Sequence, residues 1–366
     1  MKIVLATGIF PSEIGGPATI VEQLAGGLAR SGFEIAVVTY TSNHHAGNQQ
    51  SRNYPVYPIY RKNVFFNYLK YFLTLYRLVR PGDIIFAFDA LSAGLPSALV
   101  GLLKGNRLVI RLGGDFLWEK LFNEGRTELA MPDFYQAKNN YSGSFRFKII
   151  KWVLKQAAKV VLTNQWFFDV IGRPYGLAEK KVTIINNPFP PVSEKHRSGS
   201  NLAIAAGRFI RTKRFKELIK IFSEIKNQNA RLVIYGSGPL AAELKSAANF
   251  KIEIKDSISQ SALAEKIAAS RFYIQSSISE VSPNTVLQAL AVGTPVLMSN
   301  DGGYADWLKD KVEIYNFADL SDLQDKIEKM YQPDYYQKAE ERLATLDKNY
   351  FWKDVLTKYL GLIKVL

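Results

Sequence analysis

The order of apolar and amphipathic segments predicts an α/β fold of two doubly wound, Rossmann-like domains. Three observations carry that prediction. Short apolar runs of strand length alternate with amphipathic stretches of helical period, the pattern of β-α units on a parallel sheet. A proline-rich polar segment, NNPFPPVSEKHRSGS at 186–200, interrupts the alternation midway. At 366 residues the chain is also long for a single core, so two domains are the natural division.

In the first half the strand candidates are KIVLAT (2–7), EIAVVTY (34–40), DIIFAF (83–88), RLVIRL (107–112), VVLT (160–163) and VTII (182–185). Helical patterns lie between them, notably over 17–31 and 91–104. After the interruption the alternation resumes with LAIAAG, ARLVIYG, KIEI, RFYIQS, PVLMS and VEIY. Domains are therefore expected at 1–190 and 191–349, with 350–366 left for a closing helix. Open sheets of this type bind ligands beyond the C-terminal ends of their strands. Two facing domains would place a cleft between those ends.

Composition narrows the class. The chain has 22 Phe, 19 Tyr and 5 Trp but no Cys, which removes disulfides, thiolate nucleophiles and Cys-ligated zinc. The N-terminal MKIVLATGIFP reads as a first strand rather than a signal peptide, and no apolar run reaches the length of a membrane span. A cytoplasmic protein is expected. Net charge is +14, with an excess of +10 over 1–190 and +4 over 191–366, so the N-terminal half is the better candidate to meet an anionic partner. No G-x-G-x-x-G fingerprint follows the first strand and no Walker A sequence is present, which argues against a dinucleotide oxidoreductase and an ATPase. His44, His45 and His196 lie in polar contexts without metal-ligand spacing, so no metal is expected.

Four segments could hold a phosphate. Gly15-Gly16-Pro17 precedes a helix and is either a tight strand-to-helix turn or a phosphate site, where glycine permits close backbone approach and free N–H groups favour an anion. In AAGRFIRTKRF (205–215), Arg208 and Lys213 follow a strand end and can present a guanidinium and an ammonium to one phosphate pair. YGSGP (235–239) is another strand end with a glycine turn, bringing Gly236 near the same edge. The stretch ISEVSPNTVLQALAVGTPVL (278–297) runs from loop to helix to strand. Ser282 is its expected N-cap and Pro283 its first helical residue, so the helix N–H groups near Asn284 and Thr285 would face either a ligand beside Glu280 or the Glu280 carboxylate itself acting as a cap.

Taken together these residues resemble the family-4 glycosyltransferases. The resemblance runs nearly end to end, through the Gly-Gly loop, GRFIRTKRF, YGSGP, SEVSPNTVLQALAVGTPVLMSNDGG and the closing NYFWKDVLTKYLGLIKVL. The family's Glu-x7-Glu fingerprint reads here as Glu280, seven residues, Gln288, Ala289, then Val292-Gly293-Thr294-Pro295. The resemblance implies a GT-B fold, an acceptor-binding N-terminal domain to which the last helix returns, and a donor-binding C-terminal domain. It also implies a nucleotide-diphosphate sugar donor and transfer with retention of configuration. By position, Arg208 and Lys213 would hold the diphosphate and Gly16 would approach it by backbone. Glu280 would meet donor-sugar hydroxyls, and Gln288 would replace the family's ribose-binding Glu.

Two departures stand out. Gly113, in RLGGDFLWE (111–119), falls where the family often has His, leaving Arg111, Asp115 and Glu119 as candidates to meet the acceptor or to form an ion-paired structural loop. FAFDA (86–90) replaces a His-rich strand end and leaves Asp89. Segments 61–80 and 145–159 each carry five Lys or Arg and no acid, with aromatics at helical spacing. They either lie in an anionic membrane interface or pack their apolar faces on the sheet. Under either alternative the exposed basic faces favour an anionic leaflet, so the expected acceptor is a glycan or lipid-linked molecule close to a membrane. Competing readings are a sugar-nucleotide-binding protein that has lost catalysis, a nucleotide-sugar epimerase of the same fold, and nucleic-acid binding, for which no recognised module is present.

Overall fold

The computed structural model describes residues 1–11, 16–42, 52–191, 195–197 and 199–366. Gly15, His44 and His45 lie outside the described residues. The chain divides into two compact units. Unit 1 comprises Met1–Leu117, Tyr135–Asn186 and Trp352–Leu366; unit 2 comprises Trp118–Phe134 and Asn187–Phe351. The segment 118–134, which sequence order places with the first half, is thus grouped with the second unit.

Unit 1 is built on a seven-stranded sheet of β1 (Lys2–Thr7), β2 (Glu34–Thr41), β3 (Val56–Tyr60), β4 (Ile84–Ala87), β5 (Arg107–Leu112), β6 (Lys159–Leu162) and β7 (Val182–Ile184), ordered β3-β2-β1-β4-β5-β6-β7. Every pairing described is parallel. Helices on both faces explain why β1 and β4 are buried along nearly their whole length instead of alternating. Strand β3 escapes the sequence pattern because Pro58 sits inside it. It is an edge strand, where a residue without an N–H is tolerated.

The last helix, Trp352–Lys364, belongs to unit 1. Arg111 on β5 is buried and donates from Nε to the Tyr359 hydroxyl at 2.9 Å. The Tyr359 ring meets Phe86 of β4 edge-on at 5.6 Å. On the helix Gly16–Arg30, a Cβ at Gly27 would lie 2.9 Å from Leu356, so glycine lets the two helices approach.

Unit 2 holds a six-stranded parallel sheet of β8 (Leu202–Arg208), β9 (Arg231–Ser237), β10 (Ile252–Asp256), β11 (Phe272–Gln275), β12 (Val296–Ser299) and β13 (Glu313–Tyr315), ordered β10-β9-β8-β11-β12-β13. Phe209, Phe215, Phe222 and Phe272 anchor one layer of its core, each fully buried aromatic contributing about 1.5–3 kcal/mol. The linker is tied to this unit by His196 N–H donating to the Val292 carbonyl and Arg197 N–H to the Ala268 carbonyl, both at 2.8 Å.

Strand order reverses between β8 and β11, and that crevice positions the site. At such a switch point the loops leaving adjacent strands turn opposite ways and open a space at their carboxyl ends. Strand β8 delivers Arg208 at its last position, and the loop after β11 carries Glu280.

Candidate functional site

Loop 209–213 turns back through a short 3-10 segment, Arg211–Lys213, that brings Lys213 to the loop after β11. The Ser276 hydroxyl donates to the Lys213 carbonyl at 2.7 Å, and the Ile278 N–H donates to the Thr212 carbonyl at 3.0 Å. These bonds clamp the two loops together. Across the clamp the Lys213 ammonium forms an ion pair and hydrogen bond with the Glu280 carboxylate, both side chains about one-fifth exposed. Burial alone would push the Glu280 carboxyl upward. The Lys213 charge and hydrogen bond, the Ser277 hydrogen bond and the Arg208 charge overcome it and hold the group below the usual carboxylate range.

Glu280 is placed by a strained neighbour. Ser279 takes a left-handed conformation at φ 49°, which costs a non-glycine residue about 1–3 kcal/mol. The buried Asp301 carboxylate accepts from both its N–H (2.8 Å) and its hydroxyl (2.6 Å), and Met131 N–H donates to Ser279 Oγ at 2.7 Å. Burial raises the Asp301 carboxyl, an effect that the Ser279 bonds oppose and the Asp133 charge reinforces. The Glu280 carbonyl accepts from Gly303 N–H at 3.0 Å, and a Cβ at Gly302 would lie 2.6 Å from that same oxygen. Glycine at 302 is therefore a packing requirement of the Glu280 loop.

Segment 118–134 buttresses the other loop. Glu119 pairs with Arg208, Glu128 meets Arg211 at 2.5 Å, and the Asn123 side chain accepts from Thr212 N–H at 3.2 Å. Arg208 remains 66% exposed, so its pair with Glu119 is the kind that an incoming anion displaces at little cost.

The helix Asn284–Val292 begins one residue later than the sequence reading expects. Its N-cap is Pro283, without a side-chain cap, and Ser282 does not cap it. Ser282 Oγ instead accepts from Asn187 Nδ2 at 3.0 Å and meets the Tyr304 hydroxyl at 2.9 Å. Asn187 also donates to Asn284 Oδ1 at 2.7 Å, and the Tyr273 hydroxyl donates to Thr285 Oγ1 at 2.8 Å. Gln288 is buried, and its amide nitrogen donates to the Gln260 carbonyl. A carboxylate could not make that bond without a proton.

Gly236 pairs with Gly207 in the sheet, and a Cβ there would lie 2.0 Å from the Gly207 carbonyl oxygen. Its glycine is accounted for by strand packing. In unit 1, Gly16 opens its helix. Asp89 accepts from Leu91 N–H, Ala93 N–H and the Ser92 hydroxyl, at 2.8, 3.0 and 2.6 Å, a cap for the turn that leads into helix Gly94–Lys104. Arg111 and Asp115 face the interior, where Asp115 accepts from the Tyr175 hydroxyl at 3.0 Å and Tyr175 meets Tyr135 at 2.9 Å. Burial first, then the Asp115 charge, raises both phenols well above their ordinary range. Of the two alternatives for this segment, these contacts favour the structural one for Arg111 and Asp115, while Glu119 pairs with Arg208. The bonds that Asn187, Asp301 and Tyr304 make to Ser279, Ser282 and Asn284 are not legible in the sequence, since the partners lie far apart along the chain.

Residues 14–191 match the family Glycosyltransferase Family 4, and residues 189–345 match the family Glycosyl transferases group 1. The chain belongs to the family-4 glycosyltransferases. An alpha-monoglucosyldiacylglycerol synthase of Streptococcus pneumoniae is 29% identical over 126 residues, 32% of this chain and 28% of that protein. A component of the phosphatidylinositol N-acetylglucosaminyltransferase of Arabidopsis thaliana is 23% identical over 192 residues, 49% of this chain and 43% of that protein. The matched segments thus span less than half the length of these two relatives. Among solved structures, Anabaena HepE in complex with UDP and glucose superposes at a TM-score of 0.77 with 12% identity, covering 100% of both chains. The fold is GT-B, as the sequence predicts for this family-4 member.

Proposed function

We propose that the protein is a retaining glycosyltransferase that moves a sugar from a nucleotide-diphosphate sugar to an acceptor hydroxyl. The observation that carries this reading is the convergence of Arg208, Lys213 and Glu280 at the β8/β11 switch point. Departure of the leaving group places negative charge on a diphosphate while the sugar becomes oxocarbenium-like. The two cations suit the first, and a carboxylate held ionised suits the second. Each cation here faces a carboxylate, Glu119 or Glu280, that a diphosphate would replace or share. Unit 2 would supply the donor site, with Asn284, Thr285 and Ser282 near the sugar and phosphate. Gln288 would offer its amide oxygen to the ribose, since its nitrogen is engaged by Gln260. The leaving phosphate would help deprotonate the acceptor, with no metal in the step. UDP and glucose in HepE, and the lipid product named for the first relative, are in keeping with such a donor and with a lipid-linked or glycan acceptor. The acid-free basic segments 61–80 and 145–159 favour an acceptor presented at an anionic membrane surface on the cytoplasmic side.

A thermal-shift screen against UDP, GDP, dTDP and ADP sugars tests the reading, because a ligand that binds only the folded state raises its melting temperature. One nucleotide class should stabilise the wild type and lose most of that effect in Arg208→Ala/Lys213→Ala. No shift with any class would overturn the proposal. Binding without turnover, even with cell-derived acceptors, would identify a catalytically impaired binder. Conversion of the donor sugar without acceptor would identify an epimerase.

A further inference from the structure

Helix Val64–Leu78 is apolar on more than one side, yet only one side is packed. Tyr71 and Leu75, one turn apart, form its inward stripe. Phe65, Phe66, Leu69, Leu73 and Tyr76 lie outside that stripe, with Phe65 69% and Phe66 64% exposed. The sequence alternative in which this helix rests its whole apolar surface on the sheet is therefore not what the structure shows. Helix Gly94–Lys104 packs beside it and exposes Leu99, Leu102 and Leu103. Helix Phe145–Gln156 packs beside that one in turn and exposes Phe145 and Trp152. Large exposed apolar side chains on three helices packed side by side point to an interaction surface rather than to singly scattered solvent exposure.

Two further features define the partner. Segments 61–80, 94–104 and 145–156 together carry ten Lys or Arg and no Asp or Glu. The surface is also braced: Lys104 Nζ donates to the Val79 carbonyl at 2.7 Å and to the Tyr76 carbonyl, and lies 4.2 Å from the centre of the Tyr76 ring. The charge excludes a second copy of this face, because two acid-free basic faces repel. Nucleic acid would use the cations but leave the apolar stripe uncovered. An anionic bilayer satisfies both, taking the aromatics below the headgroups and the Lys and Arg among them. Among the described residues no helix is long and apolar enough to cross a membrane.

We propose that unit 1 docks on an anionic lipid bilayer through helices 64–78, 94–104 and 145–156, with Phe65-Phe66 and Leu102-Leu103 as the inserting side chains. This deepens the membrane element of the proposed function and rests on it only for the identity of the acceptor. The test is co-sedimentation of the full chain with phosphatidylcholine vesicles with and without phosphatidylglycerol, alongside release of nucleoside diphosphate from a donor sugar in the absence of vesicles. Wild type should bind the phosphatidylglycerol vesicles at least about tenfold better than neutral ones. Phe65→Ser/Phe66→Ser and Leu102→Ser/Leu103→Ser should each lower that binding about tenfold or more while melting like the wild type. Equal binding to neutral and anionic vesicles, or variants that bind as well as wild type, would overturn the proposal. So would a dimer in solution that Phe65→Ser/Phe66→Ser dissociates. Donor turnover without vesicle binding would refute the docking surface alone; vesicle binding without donor turnover would refute the enzymatic reading alone.

Discussion

Replacing Glu280 with Gln removes one charge from the Lys213 pair and changes little else in shape. The two side chains are 19% and 21% exposed, so the pair sits between the limiting cases. A fully exposed pair is worth about 0–1 kcal/mol, whereas removing one partner of a buried pair costs about 3–5 kcal/mol. An intermediate cost of about 2 kcal/mol is expected, and in a unit of this size that lowers the melting temperature by about 4–8 °C. The pH dependence has a definite sign. Because folding depresses the Glu280 pKa below its ordinary 4.5, its stabilisation is complete above that value and is lost as pH falls through the lower folded value. The melting gap between wild type and Glu280→Gln should therefore be widest near neutrality and close on acidification below about pH 4.5. Scanning calorimetry of both proteins across that range is the assay. Equal melting at neutral pH, or a gap that widens on acidification, would refute the assignment of Glu280 as an ionised partner of Lys213.

Other predictions follow from single contacts. Gln288→Glu should cost about 1–3 kcal/mol in the unliganded protein, because its carboxylate cannot donate to the Gln260 carbonyl. Nucleotide should then raise its melting temperature more than it raises the wild type's, since a charged acceptor binds ribose hydroxyls more strongly; an unchanged unliganded melt would contradict this. Gly302→Ala places a Cβ 2.6 Å from the Glu280 carbonyl oxygen and should lower donor turnover about tenfold or more with the protein still folded, as checked by circular dichroism. Tyr359→Phe leaves the buried Arg111 without its hydroxyl partner and should cost about 1–3 kcal/mol in urea unfolding. It should leave nucleotide affinity unchanged, because that helix belongs to unit 1.

Local pattern carries the sheet architecture and the positions of three candidate residues. Long apolar runs separated by amphipathic stretches announce parallel strands regardless of what they pair with, so strand positions were readable before any contact was known. Arg208, Lys213 and Glu280 stand out as candidates because each sits at or just beyond a strand end, the edge at which open parallel sheets bind ligands. What failed depends on contacts remote in sequence. Ser282 looks like an N-cap by residue type, but Asn187, 95 positions away, takes its hydroxyl. Arg111 and Asp115 look like loop polars, yet partners on the last helix and on helix Gln165–Tyr175 draw them inward. Strand β3 was lost to Pro58, whose meaning depends on whether the strand is an edge. The grouping of 118–134 with unit 2 rests on Glu119, Glu128 and Asn123 meeting 208–212, a pairing that no spacing rule expresses.

The central claim is that the Arg208, Lys213 and Glu280 constellation transfers a sugar from a nucleotide donor. Release of nucleoside diphosphate, measured for wild type and Glu280→Ala with the sugar nucleotide that stabilises the protein and a membrane extract as acceptor, tests it most directly. The wild type should give acceptor-dependent release and Glu280→Ala none above background, with both proteins folded. Full release by Glu280→Ala would contradict it.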